Sequence, residues 1–296
     1  MDSSDTFGRP EGDRTLQIFG YIPNLPLCIV SLIVYLLFML YLTYRIFKSK
    51  SRRFLYILPF TALMELIGYI LRALCHNFTS VGRYAIMQLL LLLAPNALAL
   101  VNYKTVGEMI RLSNVDEKRF FLKHKFVTWF FFASDIFSFL LQGAGGGLQA
   151  SGGESSANTG RAITLVGLFI QLAFLACFAV ITVYVHRNPR YVFHVEGVQN
   201  PKPKLLLCMY ITLVLLYIRS IYRVVEYADG FAGPVARAEW AFYVFDTLAI
   251  AICFIFYILL FIGDRIPKRD AELIPTSSPT ISMNRIQNKE NWQQGA

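Results

Sequence analysis

Seven stretches of this chain are apolar over about 20 residues, the length that a helix needs to cross about 30 Å of hydrocarbon. They cover approximately residues 26–47, 54–74, 84–103, 126–147, 162–186, 204–227 and 240–262. Hydrophobic residues make up 55% of the 296 residues and charged residues only 16%, which suits a bilayer better than water. We therefore predict an all-α integral membrane protein with seven transmembrane helices.

The remaining sequence predicts two polar ends. Residues 1–20 form a tail without a basic region or a cleavage signal, so no removable signal peptide is expected. Residues 21–263 form the membrane domain. Residues 264–296, rich in Ser, Pro, Asn and Gln, read as a disordered tail.

The distribution of basic residues predicts the orientation. With the N-terminus outside, 19 of the 28 Lys and Arg residues lie in cytoplasmic segments, five lie outside and four lie within the spans. This asymmetry follows the positive-inside rule and places the C-terminus in the cytoplasm. The net charge of +9 is then explained by topology and by anionic membrane lipid, and no nucleic-acid partner is expected.

Polar residues inside the spans are the candidates for a ligand site, because a charge within a membrane needs a partner, a wet cavity or a function. The candidate ligand-binding residues are Glu65, Arg72, Gln88, Asn96, Asp135, Gln142, Arg219, Arg223, Glu226 and Asp246.

Helical spacing groups several of these residues on shared faces. Glu65 and Arg72 are seven residues apart, as are Asp135 and Gln142, and the RSIYRVVE segment carries its charges with a spacing of four and then three. With the predicted topology, the polar residues converge at middle to outer depth. Ion pairs of this kind also lock helices together without binding a ligand, and that interpretation stays open for the RSIYRVVE segment.

Local motifs add smaller expectations. Pro95 should kink the third span and free a backbone carbonyl, forming a pocket wall. Gly143 and Gly147 have the GxxxG spacing of close helix contacts, although the surrounding glycine-rich segment could equally be a loop. Asn77 begins a glycosylation sequon in a short outer loop.

Several function classes lack their signatures. The five cysteines form neither a disulfide framework nor a CxxC pair, and the four histidines do not cluster, so we expect no metal and no cofactor. The seventh span contains no lysine for a retinal Schiff base. The acidic-Arg-aromatic and NPxxY motifs of G-protein-coupled receptors do not occur.

Several blocks, taken together, carry a family resemblance. They are GYIPNLPLCIV, ELIGYILR, QLLLLLAPNALALVNYKTVG, SDIFSFLLQGAGGGLQ, GLFIQLAFLACF and RSIYRVVEYADGFAGPVARAEWAFYVFDT. From about residue 21 to residue 262 the chain resembles the fungal lipid-translocating exporter family, whose founding member confers aminocholesterol resistance. Gly263-Asp264-Arg265 stands where members of the family commonly have a His-Pro pair.

The resemblance implies a seven-span fungal membrane protein linked to movement of, or resistance to, sphingoid bases, sterol-like drugs or porphyrins. The positions that it marks are Glu65, Gly68, Tyr69, Arg72, Gln88, Pro95, Asp135, Ser138, Gln142, Gly145, Gly146, Gln171, Arg219, Tyr222, Arg223, Glu226, Glu239, Tyr243 and Asp246.

Two hypotheses follow. In the first, the protein binds and exports or translocates an amphipathic lipid or lipophilic molecule, and Glu65, Asp135, Glu226 and Asp246 contact a cationic or polar head group. In the second, it is a metal-independent cyclase of a prenylated substrate in fungal secondary metabolism, with Glu65 and Asp135 as general acids and Tyr69, Phe137 and Tyr243 shielding a carbocation. The expected location is the plasma membrane or the endoplasmic reticulum.

Overall fold

The computed structural model describes residue 15 and residues 19–113, 123–150, 154–191, 201–230 and 233–266. Within these residues the secondary structure is entirely helical, and seven helices are long and apolar enough to cross a membrane, which confirms the predicted spans. Helices α1 to α6 comprise Leu25–Ser49, Ile57–Asn77, Val81–Leu112, His124–Ala150, Glu154–Arg187 and Pro201–Asp229. The predicted disordered tail lies outside the described residues from position 267 onward.

The last span, α7, extends over Glu239–Asp264 and is irregular. It begins as an α-helix at Glu239–Phe242, widens into a π-helix at Tyr243–Leu248 and returns to an α-helix at Ala249–Leu259. Short π segments inside helices are rare and occur often at functional sites.

Consecutive helices pack against each other in an up-and-down bundle, and α7 contacts both α6 and α1. We call the end at which α1 and α7 begin the N-terminal end of the bundle. Helices α2, α4 and α6 end there, and a single helical turn, Pro234–Arg237, connects α6 to α7 at the same end.

The helix boundaries follow from local chemistry. The Asn24 side chain accepts a hydrogen bond from the Leu27 N–H, and Pro26 occupies the first turn, so α1 has a well-formed start. At its other end Lys50 takes a left-handed conformation, with φ of 48°. Ser80 caps α3 through the N–H of Arg83.

The outer surface of the bundle is apolar, as a lipid-facing surface must be. Val30, Leu37, Trp129 and Val180 are all more than half exposed. Helix α1 has the largest share of this surface, since only 22% of its most apolar window is buried, compared with 56% for α2 and α6. Helices α2, α3 and α6 are the most buried, with at least half of the same window inside the bundle.

The described parts of the glycine-rich segment, residues 143–150 and 154–160, are helical, and this corrects the alternative reading of the segment as a loop. Helix α4 continues to Ala150, and α5 begins at Glu154, eight residues before the span predicted to start at Ala162. The close contact is at Gly145, where a Cβ atom would collide with the backbone of Gly160 and with Thr164. Gly143 and Gly147 do not make this contact, because a Cβ at Gly147 would meet nothing within 4 Å.

These two neighbouring environments yield a paired prediction. Gly145→Ala should lower the free energy of unfolding by about 1–3 kcal/mol, because the backbone of α5 cannot move aside without loss of packing. Gly146→Ala should be neutral or raise it by up to about 1 kcal/mol, since its Cβ would enter open space and alanine favours a helix. Unfolding of the purified variants in detergent measures both values. Equal effects of the two substitutions would contradict the proposed helix contact.

Candidate ligand-binding site

Asp246, in the π segment of α7, is the centre of a buried charge cluster. Arg219 Nε forms an ion pair with Asp246 Oδ1, and Arg223 Nη2 forms one with Asp246 Oδ2. Arg223 Nη1 also donates a hydrogen bond to Glu226 at 2.9 Å. The three residues around Asp246 are those of the predicted RSIYRVVE stripe, so this face of α6 is directed towards α7.

Pro95 contributes to the same cluster through the backbone of α3. Proline has no N–H, so the carbonyl of Leu91, four residues earlier, loses its helical partner. Arg219 Nη2 donates a hydrogen bond to this carbonyl at 2.9 Å. The carbonyl that the sequence predicted to be freed thus anchors a buried arginine between α3 and α7.

Arg72 occupies a separate position near the N-terminal end. Its Nη2 donates to Tyr21 Oη at 2.9 Å and to Glu239 Oε1 at 3.1 Å, and its guanidinium lies 4.3 Å from the centroid of the Phe242 ring. Burial raises the pKa of the Tyr21 hydroxyl, although the Arg72 charge opposes this, so the hydroxyl stays neutral and accepts the bond. The ion-pair partner of Arg72 is therefore Glu239 on α7.

Glu65 lies beneath these groups and is 3% exposed. The structure gives its carboxylate no hydrogen-bond donor among the described residues, although Asp246, Arg219 and Arg223 are within electrostatic range. One helical turn away, the Tyr69 hydroxyl is 2.5 Å from Thr247 Oγ1. Glu65 and the π segment of α7 thus share the interior of the bundle.

A cavity of about 50 Å³ lies at the N-terminal end, large enough for a few waters or a small polar group. We call it the polar cavity. Its walls are formed by Phe19, Tyr21, Arg72, Tyr84, Gln88, Gln149, Arg161, Glu226, Tyr227, Gly230, Ala236 and Phe242.

The polar cavity has one positive charge in excess. Arg72 is paired with Glu239, and Glu226 is paired with Arg223. Arg161 donates to the carbonyl of Tyr227 at 2.8 Å and has no carboxylate partner in the part of the chain that the structure describes.

Gly230 allows the Arg161 guanidinium to approach the polar cavity. It ends α6 with φ of 81°, a conformation that favours glycine, and a Cβ there would lie 3.0 Å from Arg161 Nη1. The guanidinium can therefore lie against the end of α6 and reach the polar cavity.

An apolar groove of about 720 Å³ lies beside the polar cavity. Its lining includes Ile218, Tyr222 and Val225 of α6 and Trp240 and Phe245 of α7. On each helix the groove residues are direct neighbours of cavity residues, because Val225 precedes Glu226 and Ala241 precedes Phe242. The groove and the polar cavity are thus adjacent, and α6 and α7 form a wall that both share.

A second polar group is separate from this site. Gln142 Nε2 donates to Gln171 Oε1 at 2.8 Å, and Gln171 Nε2 donates to Asn96 Oδ1 at 2.5 Å. This amide chain joins α4, α5 and α3. Asn96 and Asp135 line a small second cavity together with Gln171.

The structure distributes the ten sequence-predicted residues over three places. Arg72, Gln88 and Glu226 line the polar cavity. Arg219, Arg223, Asp246 and Glu65 form the buried cluster behind it. Asn96, Asp135 and Gln142 belong to the second polar group, which does not share the polar cavity.

The two carboxylates of the cyclase hypothesis do not meet in a common space. Asp135 lines the small second cavity, whereas Glu65 lines neither of the two polar cavities. Since a general acid must reach its substrate, the geometry gives the pair no shared substrate position.

The structure adds cavity residues that sequence reasoning missed, above all Tyr21, Gln149 and Arg161. The sequence predicts Arg161 to lie outside the spans, because the apolar window of the fifth span begins only at the next residue, Ala162. One sequence feature could have indicated an earlier helix start: the segment before this window contains neither proline nor a long charged run. The helix in fact begins at Glu154.

Two smaller expectations concern surface chemistry. Asn77 is exposed at the end of α2, whereas Thr79 of the same sequon is buried and its hydroxyl donates to the carbonyl of Cys75 at 2.9 Å, so glycosylation stays a prediction. All five cysteines are free thiols, and the described residues contain no group of three or more His, Cys, Asp or Glu side chains placed to hold a metal.

Comparison with known proteins identifies the family to which this chain belongs. A family model described as RTA1 like protein matches residues 58–269, which extend from α2 through α7. The chain belongs to the RTA1-like family. The match confirms the family resemblance carried by the ELIGYILR, SDIFSFLLQGAGGGLQ and RSIYRVVE segments.

Three relatives of this RTA1-like protein have informative names. Protoporphyrin uptake protein 1 of Saccharomyces cerevisiae is 33% identical over 216 residues, covering 72% of this chain and 70% of that protein. Probable lipid transporter atnI of Emericella nidulans is 28% identical over 223 residues, covering 69% of this chain and 56% of that protein. Sphingoid long-chain base transporter RSB1 of Saccharomyces cerevisiae (strain Lalvin EC1118) is 26% identical over 278 residues, covering 79% of this chain and 70% of that protein. No solved structure matches the chain.

Proposed function

We propose that this RTA1-like protein binds an amphipathic lipid with its head group in the polar cavity and moves it between the two leaflets. The observation that carries the proposal is the pairing of a polar cavity with an adjacent apolar groove along one shared wall. The names of the relatives support it, since a lipid, a sphingoid base and a porphyrin each combine an apolar body with polar groups.

The dimensions of the two spaces fit the two parts of such a molecule. The polar cavity, at about 50 Å³, suits a single polar or charged group, and the groove, at about 720 Å³, suits a hydrocarbon chain. The groove lies among lipid-facing residues such as Ile218 and Trp240. A chain can therefore enter it sideways from the bilayer.

The charges of the polar cavity indicate the kind of head group. Arg161, which has no carboxylate partner among the residues that the structure describes, suits an anionic group such as a phosphate or carboxylate. Glu226 can accept a hydrogen bond from an amine or a hydroxyl at the same site. Asp246 does not line the cavity and already binds two arginines, so we assign it to the support of the site and not to head-group contact.

We further propose that the N-terminal end of the bundle faces the outside of the cell or the lumen of the endoplasmic reticulum. The positive-inside distribution supports this orientation. The polar cavity would then open towards the outer leaflet, and the lipid would be exported. The cyclase alternative has no comparable support, because none of the three relatives described above is named as an enzyme.

Photolabelling locates the bound lipid. We expect a single-chain amphiphile with a phosphate head group and a diazirine beside that head group to label the polar cavity, at Tyr84, Gln88 or Tyr227. The same amphiphile with the diazirine at the end of its chain should label groove residues such as Ile218 or Val225. Mass spectrometry of peptides from protein in lipid nanodiscs reads both patterns. Labelling by both probes that is confined to lipid-facing positions such as Val30 and Leu37 would contradict the proposal.

A further inference from the structure

The second polar cavity lies in the middle of the bundle, between α3, α4, α5 and α6. Its volume is about 10 Å³, which is room for about one water molecule. Polar side chains reach it from all four helices: Asn96 and Tyr103 from α3, Asp135 from α4, Gln171 from α5 and Ser220 from α6.

Asp135 Oδ2 and Asn96 Nδ2 have no hydrogen-bond partner among the described residues. The Tyr103 hydroxyl lies close enough to the Asp135 carboxyl to interact with it as a hydrogen-bond donor. Their side chains are buried, with Asp135 3% exposed, Asn96 6% and Tyr103 0%. Buried polar groups in folded proteins almost always have partners, so the unpartnered atoms of Asp135 and Asn96 beside one cavity indicate a small polar species that is bound there.

Among the described residues Asp135 also has no counter-ion, unlike Asp246. The groups that face it are neutral: the Tyr103 hydroxyl, which interacts with it electrostatically, the Gln171 amide and the Ser220 hydroxyl. Arg219, the neighbour of Ser220, is bound to Asp246 and to the Leu91 carbonyl. A lone carboxylate at this depth is costly unless it binds a cation. The free atom of Asn96 is an N–H donor, which does not coordinate a metal ion, and a cavity of this volume accommodates a proton and one water.

The amide chain connects this carboxyl group to the helices of the polar site. Asn96 receives a hydrogen bond from Gln171, which receives one from Gln142, and the Asn96 Nδ2 atom at the end of this chain has no partner among the described residues. An ionised Asp135 attracts the Asn96 Nδ2 donor, and a protonated Asp135 offers a donor in place of an acceptor. We therefore expect the packing of α3, α4 and α5 to respond to the charge of Asp135.

We propose that Asp135 is a reversible proton-binding site that couples lipid movement to a proton gradient. One proton binds to Asp135 Oδ2 on one side of the membrane and leaves on the other side as the bundle rearranges. Tyr103, Asn96 and Gln171 position this proton. The coupling rests on the proposed lipid function, whereas proton binding by Asp135 does not.

The test uses full-length protein in liposomes with a labelled lipid, with and without a pH gradient, and with the membrane potential clamped. We expect the gradient to drive lipid accumulation in one leaflet, with proton flux reported by an internal pH-sensitive dye. Asp135→Asn should keep exchange of lipid between leaflets and lose the gradient-driven accumulation. Asp264→Asn and Ser134→Ala serve as controls, since Asp264 is exposed and Ser134 bonds only to its own helix. Both controls should behave as the wild type.

Several results would overturn the coupling: equal wild-type accumulation with and without the gradient, accumulation driven by a sodium gradient alone, or unchanged accumulation in Asp135→Asn. No lipid movement under any condition would instead overturn the proposed function. Infrared difference spectra of the purified protein at two pH values then decide the proton site separately. We expect a protonated-carboxyl band in the wild type that Asp135→Asn lacks, and an unchanged band in the variant would exclude Asp135 as the site.

Discussion

Replacing Asp246 with asparagine should lower the free energy of unfolding by about 3–5 kcal/mol, because removing one partner of a buried ion pair leaves the other charge uncompensated. Here two guanidinium groups lose their partner, and both are almost fully buried, with Arg219 2% and Arg223 1% exposed. Thermal unfolding of the purified protein in detergent measures the loss. The amount of protein in the membrane fraction should fall with it.

Asp264→Asn provides the matched control for this prediction. Asp264 also pairs with one arginine, Arg45 at 3.0 Å, but its side chain is 51% exposed at the opposite end of the bundle. Exposed ion pairs contribute at most about 1 kcal/mol. Similar losses in Asp246→Asn and Asp264→Asn would show that the buried cluster is not the electrostatic centre of the bundle.

Replacing Arg161 with glutamine should weaken the binding of an anionic amphiphile about 10-fold to 150-fold. The reason is that a hydrogen bond to a charged group contributes about 1.5–3 kcal/mol, and each 1.4 kcal/mol is a factor of ten in affinity. Binding of dodecyl phosphate to the purified protein, measured by equilibrium titration, should show this loss. Binding of uncharged dodecanol should change little, because its single hydroxyl fits the polar cavity, which keeps its neutral donors and acceptors.

Arg237→Gln is the control for the charge at this end of the bundle. Arg237 is exposed on the connecting turn and does not line the polar cavity. The Arg237→Gln variant should therefore bind dodecyl phosphate with the affinity of the wild type. If both substitutions weaken binding equally, the effect arises from the general surface potential and not from a head-group site.

The sequence was sufficient to predict the seven spans because apolar length alone specifies a membrane helix. It failed at the start of α5, where Glu154 to Arg161 is polar but helical. These residues lie at the N-terminal end of the bundle, where polar side chains are tolerated and hydropathy no longer distinguishes a helix from a loop. The π segment around Asp246 also has no periodic signal, since it depends on tertiary contacts with α6.

The candidate site was predictable as a set of residue types but not as a set of partners. Spacing correctly placed Arg219, Arg223 and Glu226 on one face of α6. It could not show that Arg72 pairs with Glu239 of α7 and not with a residue of its own helix, because such contacts depend on how distant helices pack. Nor could it separate Asp135 from the polar cavity, since depth in the membrane does not specify which helices enclose a residue.

The most direct test of the central claim is the rate at which purified wild-type protein moves a labelled lipid between the leaflets of liposomes. A single-chain lipid with a fluorescent chain is added, and the accessible leaflet is quenched at successive times. We expect faster movement than in protein-free liposomes, and a lower initial rate for Arg161→Gln than for Arg237→Gln. Movement at the protein-free rate, for lipids with anionic, zwitterionic and cationic head groups alike, would contradict the account.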